Sequence, residues 1–201
     1  MRLVLLCLQT LKNFGSSCFG NCTSLLSITL PNSVKSVGWG CFESCTSLKS
    51  CTYSNNSELT LLSGNCFKGC KALTEFTIPS NIIEIQQNVF EGDTNLIRVY
   101  GCENVEFLGG STSTGWSVFA GCSKLIEVEG LSKVKIISSG CFASCTSLTT
   151  LHLNWEGLTE IKVNAFQNCS SLTNPNYVIN GSTCTLGDDA LTGSGLAKNV
   201  I

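Results

Sequence analysis

One short phrase recurs seven times along this chain, and it limits what the chain can fold into. Phenylalanines stand at Phe19, Phe42, Phe67, Phe90, Phe119, Phe142 and Phe166, spaced by 23, 25, 23, 29, 23 and 24 residues. Each opens the same wording: Phe19 leads to Cys22 and Leu25, Phe42 to Cys45 and Leu48, Phe67 to Cys70 and Leu73, Phe119 to Cys122 and Leu125, Phe142 to Cys145 and Leu148, Phe166 to Cys169 and Leu172. The copy at Phe90 departs, with Asp93 in the cysteine position before Leu96. The chain then alternates, as in Leu25, Ile28, Leu30 and Pro31, in Leu73, Phe76, Ile78 and Pro79, and in Leu148, Leu151 and Leu153. Period-two alternation predicts a strand with one buried face, and the proline ends its ladder. A second apolar pair follows: Val34 and Val37, Ile82 and Ile85, Val134 and Ile137, Leu158 and Ile161. Each repeat therefore reads as strand, turn, second extended segment and short helical turn. A unit this small cannot bury its own apolar face, whereas stacked copies bury a continuous core.

Written as L-x-x-I-x-I-P, V-x-x-I-G and A-F-x-x-C, the repeat resembles the BspA-like (Treponema pallidum type) leucine-rich repeat across essentially the whole chain. That resemblance implies a right-handed leucine-rich repeat solenoid, horseshoe- or arc-like and mostly β. One concave parallel β-sheet, short second strands and short helical turns are expected. The sequence departs from the family before the phenylalanine, where Cys18, Cys41, Cys66 and Cys141 replace the usual alanine and Ala165 keeps it.

Both ends fall inside repeats. Leu11, Phe14, Gly15, Cys18 and Phe19 line up with Val34, Val37, Gly38, Cys41 and Phe42, which places Leu5 and Cys7 in the strand of a truncated repeat. The apolar run at residues 3–8 is short of the roughly 7–15 residues of a secretory signal, so no signal peptide is visible. Leu191 takes the phenylalanine position of a degenerate eighth phrase. The expectation is a single domain over residues 1–201, with about seven full repeats and partial ones at both ends. Neither end carries the polar cap of a finished solenoid, so a fragment of a longer protein is expected. No stretch approaches the roughly 18 apolar residues of a membrane span.

Composition narrows the chemistry. Among 201 residues, 14 are cysteine and one is histidine, while 12 Lys and Arg stand against 14 Asp and Glu. A chain so sparsely charged lacks the clustered cations of a nucleic-acid binder. One histidine excludes multi-histidine zinc enzymes and paired-histidine relays. The pairs Cys18 and Cys22, Cys41 and Cys45, Cys66 and Cys70, and Cys141 and Cys145 could serve metal, disulfide or redox chemistry. The repeat register favours a plainer reading, two columns of interior thiols about 4.8 Å apart from repeat to repeat. Cys7, Cys51, Cys102 and Cys184 lie outside these columns, with Cys7 and Cys51 at strand positions. His152 occupies an outward strand position whose equivalents are Glu127, Glu129, Asn174 and Asn176, so no nucleophile is paired with it. The glycines at 109–115 and 193–195 lack the dinucleotide and phosphate-loop patterns. No catalytic, metal or cofactor-binding residue is assigned.

The outward strand positions are what a curved solenoid displays together on its concave sheet. There Glu75, Arg98, Tyr100, Glu127, Glu129 and His152 form a candidate patch for a protein partner, Tyr and Arg being interface-prone types. The alternative is a merely solvated sheet face. Six extra residues between Phe90 and Phe119 fall in the loop at 109–116, and insertions of this kind often carry function. Sequons at Asn21, Asn55, Asn168 and Asn180 matter if the chain is exported. By resemblance, BspA-like proteins are cell-surface or secreted proteins of bacteria and parasitic protists, linked to adhesion to host matrix proteins and cells. That implies a non-enzymatic, surface adhesion-type binding module. An intracellular protein-interaction scaffold in the cytoplasm is the alternative.

Overall fold

The computed structural model describes residues 10–53, 57–110, 116–173 and 183–196. Its framework is a stack of parallel strands, one repeat above the next. Eight two-residue strands form one continuous sheet: Asn13–Phe14, Ser36–Val37, Leu61–Leu62, Glu84–Ile85, Phe107–Leu108, Ile136–Ile137, Glu160–Ile161 and Thr185–Leu186. These are the second extended segments of the repeats. The alternating segments form two smaller sheets. Ser27–Thr29 pairs with Ser50–Thr52, and Glu75–Thr77, Arg98–Tyr100, Glu127–Val128 and Thr150–Leu151 pair in sequence. The second strands are short, as expected, at two residues each, against two or three in the alternating segments. The segment expected to give short second strands builds the longer sheet, and the segment expected to carry the main sheet is interrupted after Thr52.

Register confirms the alignment at both ends. Phe14 pairs with Val37 and Leu186 with Ile161. The amides of Phe166 and Asn168 donate to the carbonyls of Ala190 and Thr192, so Leu191 does hold the phenylalanine position. Cys7 and Leu5 lie outside the described residues.

The phenylalanine phrase is not helical. Its amides alternate: those two before, at and two after the phenylalanine donate to the next repeat, as in Ser17 to Trp39, Phe19 to Cys41 and Asn21 to Glu43. The amides between them turn back three residues, as in Gly20 to Ser17 and Cys22 to Phe19. Such alternation needs a left-handed residue on each side of the phenylalanine. Positive φ occurs at Ser17 and Asn21, Gly40 and Ser44, Asn65 and Gly69, Asn88 and Gly92, Gly140 and Ser144, and Asn164 and Asn168. Glycine and asparagine tolerate that conformation best, which explains why they crowd these positions. Among the described residues the only helical turns are two 3₁₀ segments, Leu131–Lys133 and Trp155–Gly157, both between the sheets.

The core is a set of columns. Phe42, Phe67, Phe90, Phe119, Phe142 and Phe166 are fully buried. With the half-buried Phe19 they stack face to face, neighbouring ring centroids lying 5.2 to 5.9 Å apart. Strand spacing of about 4.8 Å imposes this stacking, and offset rings tolerate the slightly longer repeat. Beside it runs a thiol column. Cys45, Cys70, Cys122, Cys145 and Cys169 each place Sγ 3.0 to 3.2 Å from the phenylalanine carbonyl of the preceding repeat. Each thiol is thus both packing atom and weak donor.

Candidate functional site

The alternating segments bring the sequence-predicted residues together. Pairing sets Glu75, Arg98 and Glu127 in one row across three strands, with Thr77 beside Tyr100 in another. Inward residues Phe76, Val99, Val128 and Leu151 are buried and fix the sheet to the core, so their outward neighbours are held at strand spacing. Glu127 is the hub. Its Oε2 lies 3.4 Å from Arg98 Nε and its Oε1 3.1 Å from His152 Nε2. The Tyr100 hydroxyl reaches Glu75 Oε1 at 3.5 Å. Partial desolvation, then the Glu75 carboxylate, raises the Tyr100 pKa, so the phenol stays a donor at neutral pH. Glu129 follows the Glu127–Val128 strand, its amide bonded to the Val99 carbonyl.

Glu75 and His152 are exposed, whereas Arg98, Tyr100, Glu127 and Glu129 are half-buried. Three carboxylates against one guanidinium make the patch acidic. Asn174 and Asn176 lie outside the described residues. His152 is exposed, as its outward position requires, and its ring faces a carboxylate rather than a nucleophile.

The cysteines divide by position. Eleven of the thirteen described are buried, including Cys51 in its strand and Cys102 and Cys184 outside the columns; all thirteen are free thiols. Cys18 and Cys22, expected to be interior, are exposed because they belong to the outermost described repeat. Burial pushes the thiols of Cys41, Cys141 and Cys169 up to about 12, leaving them protonated and unreactive at neutral pH. Among the described residues no three His, Cys, Asp or Glu side chains gather closely enough to hold a metal ion.

Sequence reasoning missed a second face. On the eight-stranded sheet Phe107 and Ile136 lie side by side, 40% and 42% exposed, where other repeats place Ser36, Leu61, Glu84, Glu160 or Thr185. They line a cleft of about 790 Å³ together with Lys133, Lys135, Glu160 and Lys162. Trp116, at the far side of the insertion, is 58% exposed; residues 111–115 of that insertion lie outside the described residues. The signal was present in the sequence as two apolar residues in adjacent repeats, at a position that every other repeat except that of Leu61 leaves polar.

No helix of the described residues is long and apolar enough to cross a membrane. The family model for the BspA-type leucine-rich repeat region, in six copies, matches residues 5–112 and 103–201. A leucine-rich repeat protein of T. pallidum, 24% identical, superposes over 82% of this chain and 72% of its own with a TM-score of 0.69. The pneumococcal vaccine antigen PcpA, 20% identical, superposes over 92% of this chain with a TM-score of 0.56; the chain spans 52% of that antigen. At these identities the likeness establishes the fold alone. No curated protein sequence matches. The repeat wording, the phenylalanine and thiol columns, and a model match running from residue 5 to residue 201 agree: this chain belongs to the BspA-type leucine-rich repeat family.

Proposed function

We propose that the chain is a protein-binding module of a cell-surface adhesion protein, and that the patch of Glu75, Arg98, Tyr100, Glu127, Glu129 and His152 engages the partner. The observation that carries this is the pre-set network across adjacent strands, in which Glu127 holds both Arg98 and His152. Ordering these side chains before binding lowers the entropy lost on association. Arg and Tyr are the types that most often dominate interface energies. That the pneumococcal neighbour is a vaccine antigen is in keeping with surface display.

The test is a saturation assay of the chain against immobilised fibronectin, laminin and collagen, with an R98A/Y100A variant alongside. Saturable binding to at least one of them, weakened about tenfold or more in the variant, is expected. Binding to none, or binding indifferent to both substitutions, would sink the reading.

A second reading, an intracellular interaction scaffold, draws on the thirteen described free thiols, which suit a reducing compartment. Antibody labelling of intact against permeabilised cells separates the two.

A further inference from the structure

The thiol column has one irregular member, Asp93. It occupies the Cys70 and Cys122 position of its own repeat and is fully buried. Both carboxyl oxygens lack a well-aligned hydrogen-bond partner. The nearby amides of Gly69 and Cys70 only partly favour the charged form, against a larger desolvation that raises the pKa well above the usual carboxylate range. Groups facing it from the repeats on either side are the thiols of Cys66, Cys70 and Cys122. The nearest outward charges, Glu91 and Lys68, pair with each other at 3.0 Å.

The missing bond identifies the role. At the flanking positions the column residue donates to the phenylalanine carbonyl one repeat back: Cys70 to Phe42, and Cys122 to Phe90. By the same register the carbonyl waiting for Asp93 is that of Phe67. An ionised carboxylate can only accept, so it would set negative charge against a carbonyl oxygen; a neutral carboxyl has an O–H to donate. We infer that Asp93 is held as a neutral acid donating its O–H to the Phe67 carbonyl, and that loss of this proton loosens the stack between the Phe67 and Phe90 repeats. The solenoid thereby contains a pH-sensitive joint, tight in acid and weaker as pH rises. It lies next to the Arg98–Tyr100 strand of the acidic patch and within the same Phe90–Phe119 interval as the insertion.

Hydrogen exchange of the full chain at pH 5.5 and pH 7.5, corrected for intrinsic rates, tests this alongside D93N and D93C. The amides of Phe67 and Gly69 donate to the Val89 and Glu91 carbonyls of the Phe90 repeat, and they report the joint. In the wild type their opening is expected to rise by up to about tenfold per pH unit as the proton is lost. In D93C, which restores a thiol donor, opening stays flat over the same range. Equal pH profiles for wild type and D93C would overturn the inference. A second readout does not depend on stability: the infrared band of a protonated carboxyl at pH 6, present in wild type and absent from D93N. If that band is missing from wild type, the neutral acid is refuted.

Discussion

Removing one ring from the middle of the phenylalanine stack measures how much each column position contributes. Phe142 is fully buried, with Phe119 stacked at 5.3 Å on one side and Phe166 at 5.4 Å on the other. A buried phenylalanine removes roughly 150–250 Å² from water, which at about 25 cal/mol per Å² is worth around 4–6 kcal/mol. Phe142→Ala also leaves a cavity that the flanking rings, held at strand spacing, cannot close. The measured range for such truncations, about 3–5 kcal/mol, is therefore expected. In a chain of this length each kcal/mol moves Tm by about 2–4 °C, so a fall of roughly 6–20 °C follows. Phe19→Ala is the informative control. Phe19 is only half-buried and stacks on one ring, that of Phe42, so it should cost less than half as much. Urea unfolding followed by circular dichroism reads both variants, with the slope checked for loss of two-state behaviour, since repeat arrays can unfold in parts. A cost below about 1 kcal/mol for Phe142→Ala, or equal costs at both sites, would refute the continuous stack.

Three further outcomes are expected. In the native chain a thiol reagent should modify Cys18 and Cys22 rapidly and the eleven buried thiols only on unfolding; rapid reaction of any residue from Cys41 to Cys169 would contradict the packing. Folding holds the pKa values of Cys41, Cys141 and Cys169 near 12, above the roughly 8.5 of an unfolded thiol. Their contribution to stability is whole below about pH 8.5 and is lost as pH rises towards 12, so urea midpoints should fall steadily through that window; flat midpoints would mean the thiols are solvated. At Asn65, which has φ +58°, substitution by valine should cost about 1–2 kcal/mol, while glycine should be tolerated; equal melting temperatures would remove the left-handed requirement.

Much of this fold was legible because a solenoid repeats its reasons. Every core position is tested by several copies at once, so Val34, Ile82 and Val134 disclose one another, and Leu191 could be placed without being phenylalanine. The error over helical turns came from the same phrase. Its three-residue periodicity suits a helix as well as successive turns, and what separates them is the left-handed residue on each side, signalled by Asn65, Gly69 and Asn164 rather than by apolar spacing. Which segment would carry the longer sheet was not legible. That depends on whether adjacent strands stay in hydrogen-bonding register, and around Tyr53 the first segment loses it while the second does not. Of the candidate patch, the row order of Glu75, Arg98 and Glu127 followed from alternation. The pairing of His152 with Glu127 did not, since it depends on side-chain rotamers across strands.

Apart from the break in the first sheet after Thr52, several irregularities of the chain gather in one stretch. Asp93 breaks the thiol column, Ser117 omits the left-handed turn its equivalents take, and the insertion at 111–115 lengthens the same stretch. Phe107 and Ile136 expose apolar surface on one face there, and Arg98, Tyr100, Glu127 and His152 carry the charge network on the other. All fall between Phe90 and Phe166. A stacked repeat gains from regularity, since each identical neighbour supplies the same ring spacing and the same carbonyl acceptor. Departures in a stable array therefore cost stability where they occur, and random departures would spread along its length. Their concentration in the middle repeats, with packed phenylalanines above and below, places the least regular part of the molecule where flanking repeats can best support it. A rigid scaffold holding a locally specialised segment is the arrangement that a binding surface requires.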